Sequence, residues 1–364
     1  MEATMNDYRH RTGRHCGSTA LRNLALYYDW GYDEETCFGL AAGLGFTYFE
    51  LPESPHRGFF GRPPRLEETF FETLGIAVDS REGDDWRTVR DRIRARVAGG
   101  DPVLVFTDIY HLDYFQTDTH FAPHSVLCVG VEDDEETVVL SDSEFDALQR
   151  VPFDRLHDAM SSNSVLPLRN RHLVVADPGP DRSLEAAAPE AIAEMARGML
   201  ASSGSDGPIG RDSGTASSSE SAGESECVGT SDRKSEFGTQ GIAGIRRFAD
   251  ELPTWVDFED PQWSVRFAYQ NVERRGTGGG AFRQLYADFL ETVDDTVPEL
   301  PDDAVSRMNA IATDWTAVGR SLEEASERSD PDRLRPALTD TAETIHDLAD
   351  REERLYEDLL AALA

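Results

Sequence analysis

The sequence predicts an α+β N-terminal domain followed by an all-helical C-terminal domain, and three observations predict it. Residues 1–176 open with helix-patterned segments and continue with short β-rich runs, the last two of which flank an acidic loop. Residues 239–364 carry helical stripes alone. Between them, residues 201–238 hold 11 Ser and 7 Gly in 38 positions, too polar a composition to offset its own ordering entropy. The reading is therefore a domain at 1–176, a linker at 177–238 with disorder expected from 201, and a helical domain at 239–364. A chain of 364 residues accommodates two such domains.

Each element follows from its own pattern. Residues 17–28 read as a helix because Leu21, Leu24 and Tyr28 recur at helical spacing. Residues 34–44 form a second helix and 66–74 a third, stopped by Gly75. Residues 86–97 form a fourth, with Trp86, Val89, Ile93 and Val97 on one face and Gly99-Gly100 at its end. Strands follow at 103–106, 125–131 and 137–140, and Glu132 to Glu136 close the last two into a hairpin. In the C-terminal domain Phe282, Leu285, Tyr286, Phe289 and Leu290 form one stripe, and Val305, Met308, Ile311, Trp315, Val318 and Leu322 a second. Leu334, Leu338, Ile345, Leu348, Leu355 and Leu359 form a third, and Pro298, Pro301 and Pro331 separate the three. The two long stripes pair either as a hairpin within the chain or between subunits of a homodimer.

The composition excludes several function classes. Sixty-nine Asp and Glu face 35 Lys and Arg, a formal charge of −34, and Lys234 is the single lysine. Such a surface repels phosphate backbones and anionic lipid, so neither nucleic acid nor membrane is an expected partner. Excess carboxylate with arginine in place of lysine predicts a halophile's cytoplasmic protein, since high salt screens the self-repulsion. A GC-rich genome is the alternative source of the arginine. The N-terminus shows no basic run followed by an apolar one, and no window reaches about 18 apolar residues. Cys16, Cys37, Cys128 and Cys227 lack CxxC spacing, which argues against a zinc ribbon and against a disulfide framework.

Cys16 carries the chemistry. It stands where the first helix begins, and unpaired N–H groups there favour a thiolate. Cys128, inside Val126-Leu127-Cys128-Val129, reads as a buried hydrophobe, and Cys227 falls in the linker. A thiol nucleophile needs a base and a group to orient it. His124 opens the strand at 125–131, and Asp142 ends the next one, so closing the hairpin brings both to one sheet edge. Cys on the first helix, His opening a strand and Asp ending the next is the chain order of papain-like thiol enzymes.

The segments Gly13-Arg14-His15-Cys16, Phe38-Gly39-Leu40, Thr107-Asp108-Ile109-Tyr110, His124 and Asp142 resemble the N-terminal domain family of butirosin biosynthesis protein H. That family has a papain-like fold related to the double-glycine leader peptidases. Residues 276–290, beginning Gly276-Thr277-Gly278-Gly279-Gly280, resemble the helical domain that commonly follows it. The resemblance implies an acyltransferase that moves an aminoacyl group from an acyl-carrier-protein thioester to an amine, with Cys16 acylated, His124 as base and Asp142 as its orienter. Papain-like enzymes usually place a Gln upstream of the Cys for the oxyanion. Residues 1–15 contain none, so Asn6, His10 or a backbone N–H would have to serve.

Other residues complete the reading. Asp108, Tyr110 and Tyr114 follow the strand at 103–106 and are candidates to line the acyl pocket. Gly276 to Gly280 lack the Lys and Ser or Thr of a P-loop and read as a tight helix start near the other domain, with Arg283 set to bind a carboxylate or phosphate. His120, with His111, Asp113 and Asp118, has metal-ligating residue types, but its Thr- and Pro-bearing segment gives no helix to align them. No metal and no cofactor are expected. The partners expected are a carrier-protein or other acyl-thioester donor and a small-molecule amine. A cysteine peptidase or amidase using the same three residues, and a non-catalytic binding module on this fold, are the alternatives.

Overall fold

A computed structural model describes residues 5, 7–132, 136–201 and 238–364. Asn6, the tip of the acidic loop, Cys227 and the linker assignment for 202–237 lie outside the described residues.

Helix α1 (Cys16–Tyr27) is followed by α2 (Glu34–Leu40), β1 (Thr47–Glu50) and β2 (Arg57–Phe60). Next come α3 (Leu66–Leu74), β3 (Ala77–Arg81), α4 (Trp86–Gly99) and β4 (Val103–Thr107). Two 3-10 turns, Ile109–His111 and Asp113–Phe115, lead to β5 (His124–Glu132) and β6 (Thr137–Ser141). The first half closes with β7 (Gln149–Pro152), α5 (Phe153–Ser161), β8 (His172–Asp177) and α6 (Leu184–Leu200). Local chemistry sets the ends. Gly75 and Gly100 take the left-handed conformation that stops α3 and α4, at φ 69° and 92°, and Asp85 caps α4 by accepting from the Thr88 N–H at 3.1 Å. The helix expected over 34–44 unwinds after Leu40, where Ala42 takes φ 47° and the Gly43 N–H reaches back to the Phe38 carbonyl.

The main sheet is antiparallel, in the order β3-β8-β4-β5-β6-β7, and a smaller one runs β2-β1-β9. β9 (Thr239–Gln240) belongs to the second half of the chain, so that half is largely helical rather than wholly so. The remaining elements are α7 (Gly241–Glu251), a 3-10 segment at Leu252–Asp257, α8 (Pro261–Glu273), α9 (Arg283–Val293), α10 (Ala304–Ser326) and α11 (Pro331–Ala362). Pro331 opens α11, and Pro298 and Pro301 lie between α9 and α10.

One expectation about organisation is corrected. Residues 184–200, assigned to the linker, form α6, because Ala187, Ala191, Ile192, Met195 and Met199 make an apolar face that packs against α11, α2 and α7. Of the two pairings open to the long C-terminal stripes, the one within the chain forms: Leu338, Ile345, Leu348, Leu355 and Leu359 have no exposed surface, covered by α10, α7 and α6. Nor do the halves stand apart. α9 packs on α2, and α7 packs on β1.

The expected hairpin forms, with one consequential irregularity. Val131 pairs with Val138 at the turn end, but Leu127 pairs with Ser141 further on, because β5 bulges between Cys128 and Gly130. Continuing that register by one residue sets Asp142 opposite Val126, on the face of β5 that also carries His124. The turn-end register, carried through without the bulge, would set Asp142 opposite Leu127 and on the other face.

Candidate active site

The start of α1 is braced from several sides. His15 is the cap, its Nδ1 accepting the Ser18 N–H at 3.2 Å. The buried carboxylate of Glu34 accepts the His15 N–H at 2.9 Å, the Arg14 N–H at 3.0 Å and the hydroxyls of Ser18 and Thr19, both at 3.1 Å. Gly13 and Gly17 let these groups approach, since a Cβ would sit 2.0 Å from Thr19 Oγ1 at the first and 2.5 Å from Glu67 Oε1 at the second. Cys16 is thereby held, buried, as the first residue of the helix.

His124 opens β5, and its Nε2 meets Asp142 Oδ2 at 2.9 Å. Asp142 has no exposed surface and accepts two further bonds, from the Tyr114 hydroxyl at 2.8 Å and from the Glu144 N–H at 3.1 Å. Phe115 meets the His124 ring edge-on at 5.4 Å and Phe121 lies at 6.4 Å. With Nε2 on the aspartate, Nδ1 is the nitrogen left for the thiol.

Electrostatics polarises the pair. Burial works to raise the Cys16 pKa, but the electrostatic pull and close approach of the His15 and His124 rings outweigh it and hold the thiol well below its usual range. Burial disfavours the His124 cation, yet Asp142, by charge and by hydrogen bond, and then Cys16 raise its pKa well above the usual imidazole value. The Asp142 carboxyl is lowered despite burial, chiefly by His124. Both shifts favour a thiolate at Cys16 and a protonated ring at His124. Burial raises the thiols of Cys37 and Cys128, joined at Cys37 by the carboxylates of Glu34, Asp33 and Glu35 against Arg22.

The other expected residues divide. Tyr114 reaches the site, through its hydroxyl on Asp142. Asp108 does not line a pocket: it has no exposed surface and accepts from His120, Ser162 and the N–H groups of Tyr110 and Phe121. Tyr110 is 42% exposed and stacks on His120 at 4.1 Å. Arg283 is corrected outright. Its carboxylate partner is internal, Glu352, bound through Nε at 3.0 Å and through Nη2 at 2.8 Å, with both side chains fully enclosed. Asp108, His111 and His120 bring one ligating atom each within 4.8 Å of one another. The four donors on Asp108 fill the lone pairs a metal would need, so the grouping is self-satisfied.

Residues 276–282 come against the start of α1. A Cβ on Gly276 would lie 3.9 Å from His15 Cα, and Phe282 stacks on Phe38 at 5.6 Å while meeting His15 edge-on at 5.2 Å. Arg14 bonds Asp288 at 2.5 Å from the same side. Sequence reasoning missed Glu34 and the Tyr114–Asp142 bond. Glu34 showed only as an acidic residue at a helix start, and nothing in the spacing of 114 and 142 pairs them.

Two family models match the chain. One, described as Butirosin biosynthesis protein H, N-terminal, spans residues 15–143, and the other, described as Domain of unknown function (DUF4872), spans 154–359. The chain belongs to the DUF4872 family, whose model spans more than half of it, and its N-terminal region matches the butirosin biosynthesis protein H domain. Its N-terminal domain is papain-like, and the protein after which that domain is named is an acyltransferase in butirosin biosynthesis. The butirosin biosynthesis protein H match begins at His15 and ends at Ser143, one residue outside Cys16 and Asp142. DUF4872 begins in α5, so β8 and α6 fall within it. No curated protein matches the chain. Among the described residues, no helix is long and apolar enough to cross a membrane.

Proposed function

We propose that the chain is a thiol acyltransferase that holds an acyl or aminoacyl group as a thioester on Cys16, taking it from a carrier-protein thioester and passing it to an amine. The observation that supports this most is the His124 ring held by Asp142 at 2.9 Å beside the buried Cys16, whose thiol is shifted down as the imidazole is shifted up. Cys16 Sγ attacks the donor's carbonyl carbon, and the donor C–S bond breaks with its electron pair leaving on the departing thiolate. His124 gives its proton to that leaving group, which needs little assistance, and is left as a neutral imidazole. His124 then takes the proton of the amine as its nitrogen attacks the acyl-Cys16 carbonyl, and Cys16 leaves as the thiolate. Asp142 keeps the imidazole in the orientation and tautomer this requires. The family's acyltransfer activity supports the same reading.

The test is intact-mass analysis with carrier-protein and N-acetylcysteamine thioesters, at molar KCl, followed by candidate amines. A mass gain on Cys16 that amines discharge faster than water is the expected result. Discharge at the same rate with and without amine makes the protein a hydrolase. No adduct, with partner binding that survives Cys16→Ser, makes it a binding module.

A further inference from the structure

Acyl transfer through Cys16 leaves one role unassigned, the donor that receives the negative charge forming on the carbonyl oxygen. His10 is engaged at both ring nitrogens, Nδ1 with Ser141 Oγ at 2.8 Å and Nε2 with the Phe145 carbonyl at 2.7 Å. His15 differs. Its Nδ1 accepts the Ser18 N–H, so the neutral ring carries its proton on Nε2. Nε2 is buried and meets no acceptor in hydrogen-bond geometry among the described residues, although the ring lies close enough to Cys16 to lower its thiol, and His15 is only 3% exposed. Buried donors are nearly always paired, so this one calls for an acceptor that arrives with the substrate.

The donor is also fixed in advance. Phe38 at 6.0 Å and Phe282 at 5.2 Å meet the ring edge-on, and Glu34 holds the backbone N–H of the same residue. The ring flanks the residue whose sulfur would attack. The first N–H groups of α1 lie at the same point and have no acceptor within the helix.

We propose that the His15 Nε2–H, with the backbone N–H of Cys16, forms the oxyanion site for carbonyl groups attacked by Cys16. As Sγ bonds to the carbonyl carbon, the C=O π pair moves onto oxygen and is met by these two donors. The pair returns to re-form C=O when the leaving group departs. The assignment rests on the reading of Cys16 as a nucleophile toward carbonyls, and its test does not need the natural acyl donor.

The experiment compares wild type with His15→Asn, which keeps an acceptor for the Ser18 N–H but not the far donor, and with His15→Ala. Each is titrated with propionaldehyde, whose thiohemiacetal places an oxygen at the proposed site, and separately alkylated with iodoacetamide, which forms no oxyanion. Both reactions are read on the pH plateau where Cys16 is fully ionised in each variant, because His15 also lowers the Cys16 thiol; there aldehyde affinity should fall on the order of 10- to 100-fold in His15→Asn, while alkylation stays within about 3-fold. Equal losses in both reactions, or unchanged aldehyde affinity, overturn the proposal. Wild type that binds the aldehyde yet takes no acyl group from any thioester defeats the acyltransfer reading and leaves the His15 role standing. Wild type that alkylates but adds no aldehyde overturns both.

Discussion

His124 and His120 each bond an aspartate without exposed surface, at 2.9 Å to Asp142 and at 2.7 Å to Asp108. By that measure the pairs are alike. They differ in what surrounds them. The His124 side chain is 4% exposed and lies beside Cys16, whereas that of His120 is 37% exposed and stacks on Tyr110. Asp142 collects donors from the side chains of His124 and Tyr114 and from the Glu144 N–H; Asp108 collects two backbone N–H groups and Ser162, and so braces the loop from 108 to 121. An aspartate orients either imidazole. Only a reactive neighbour, kept from water, turns the orientation into proton transfer.

The sharpest way to break this comparison is to remove each ring. His124→Ala should slow acylation of Cys16 by about 10³ or more, since it removes both the base and the partner of the thiolate, while His120→Ala stays within about 3-fold. Stopped-flow intact-mass kinetics reads both. The reverse order would mean that the outer pair, not the inner one, serves the thiol.

Exchanging the aspartates should separate rate from stability. Asp142→Asn is expected to slow acylation on the order of 10- to 10³-fold, less than the ~10⁴ of a serine protease triad because the thiolate is already ionised. Asp108→Asn should leave the rate of the folded protein near wild type and lower stability by about 1–3 kcal/mol, read by chemical denaturation, because buried donors lose their acceptor.

pH sharpens the contrast further. Cys16 and His124 are shifted apart, the thiol down and the imidazole up, so iodoacetamide labelling should stay flat as pH falls from 9 through neutrality and drop only in acid. His124→Ala should move that drop upward; His120→Ala should not. Cys37 and Cys128 should remain unlabelled in the folded protein, and spread labelling would defeat the assignment of Cys16. The folded Asp142 and Asp108 carboxyls both lie below their usual range, so each contributes stability above its unfolded pKa that is lost as pH falls through the folded one. The stability gap between wild type and either Asn variant should therefore close in acid.

Two smaller effects complete the series. Tyr114→Phe removes one of the donors to Asp142 and should slow acylation about 3- to 10-fold, with no effect on the outer pair. Salt should act on the whole chain: with a formal charge of −34, the melting temperature should rise between 0.1 M and 2 M KCl as repulsion is screened. A flat or falling curve would contradict the halophilic reading.

Much of this site was legible in the sequence. Gly17 with Leu21 and Leu24 marked a helix starting at Cys16, Gly75 and Gly100 marked helix ends, and the acidic residues between two Val-rich runs marked the hairpin. Periodicity and turn chemistry are local, and local signals survive into the fold. Arg283, Asp108 and α6 were misplaced because each is decided by a distant partner. Glu352 takes Arg283 from 69 residues away, Ser162 reaches Asp108 from 54, and α11 and α2 cover the alanine face of α6.

The sequence by itself determined which residue types stand at the helix start, the strand start and the strand end, and in what order. The tertiary structure alone decided that His124 and Asp142 share a face. Side chains alternate across a strand with a period of two, so a slip of one residue sends the aspartate to the opposite side of the sheet. The bulge between Cys128 and Gly130 supplies that one residue, and the Val-rich stretch around it carries no mark of where it falls.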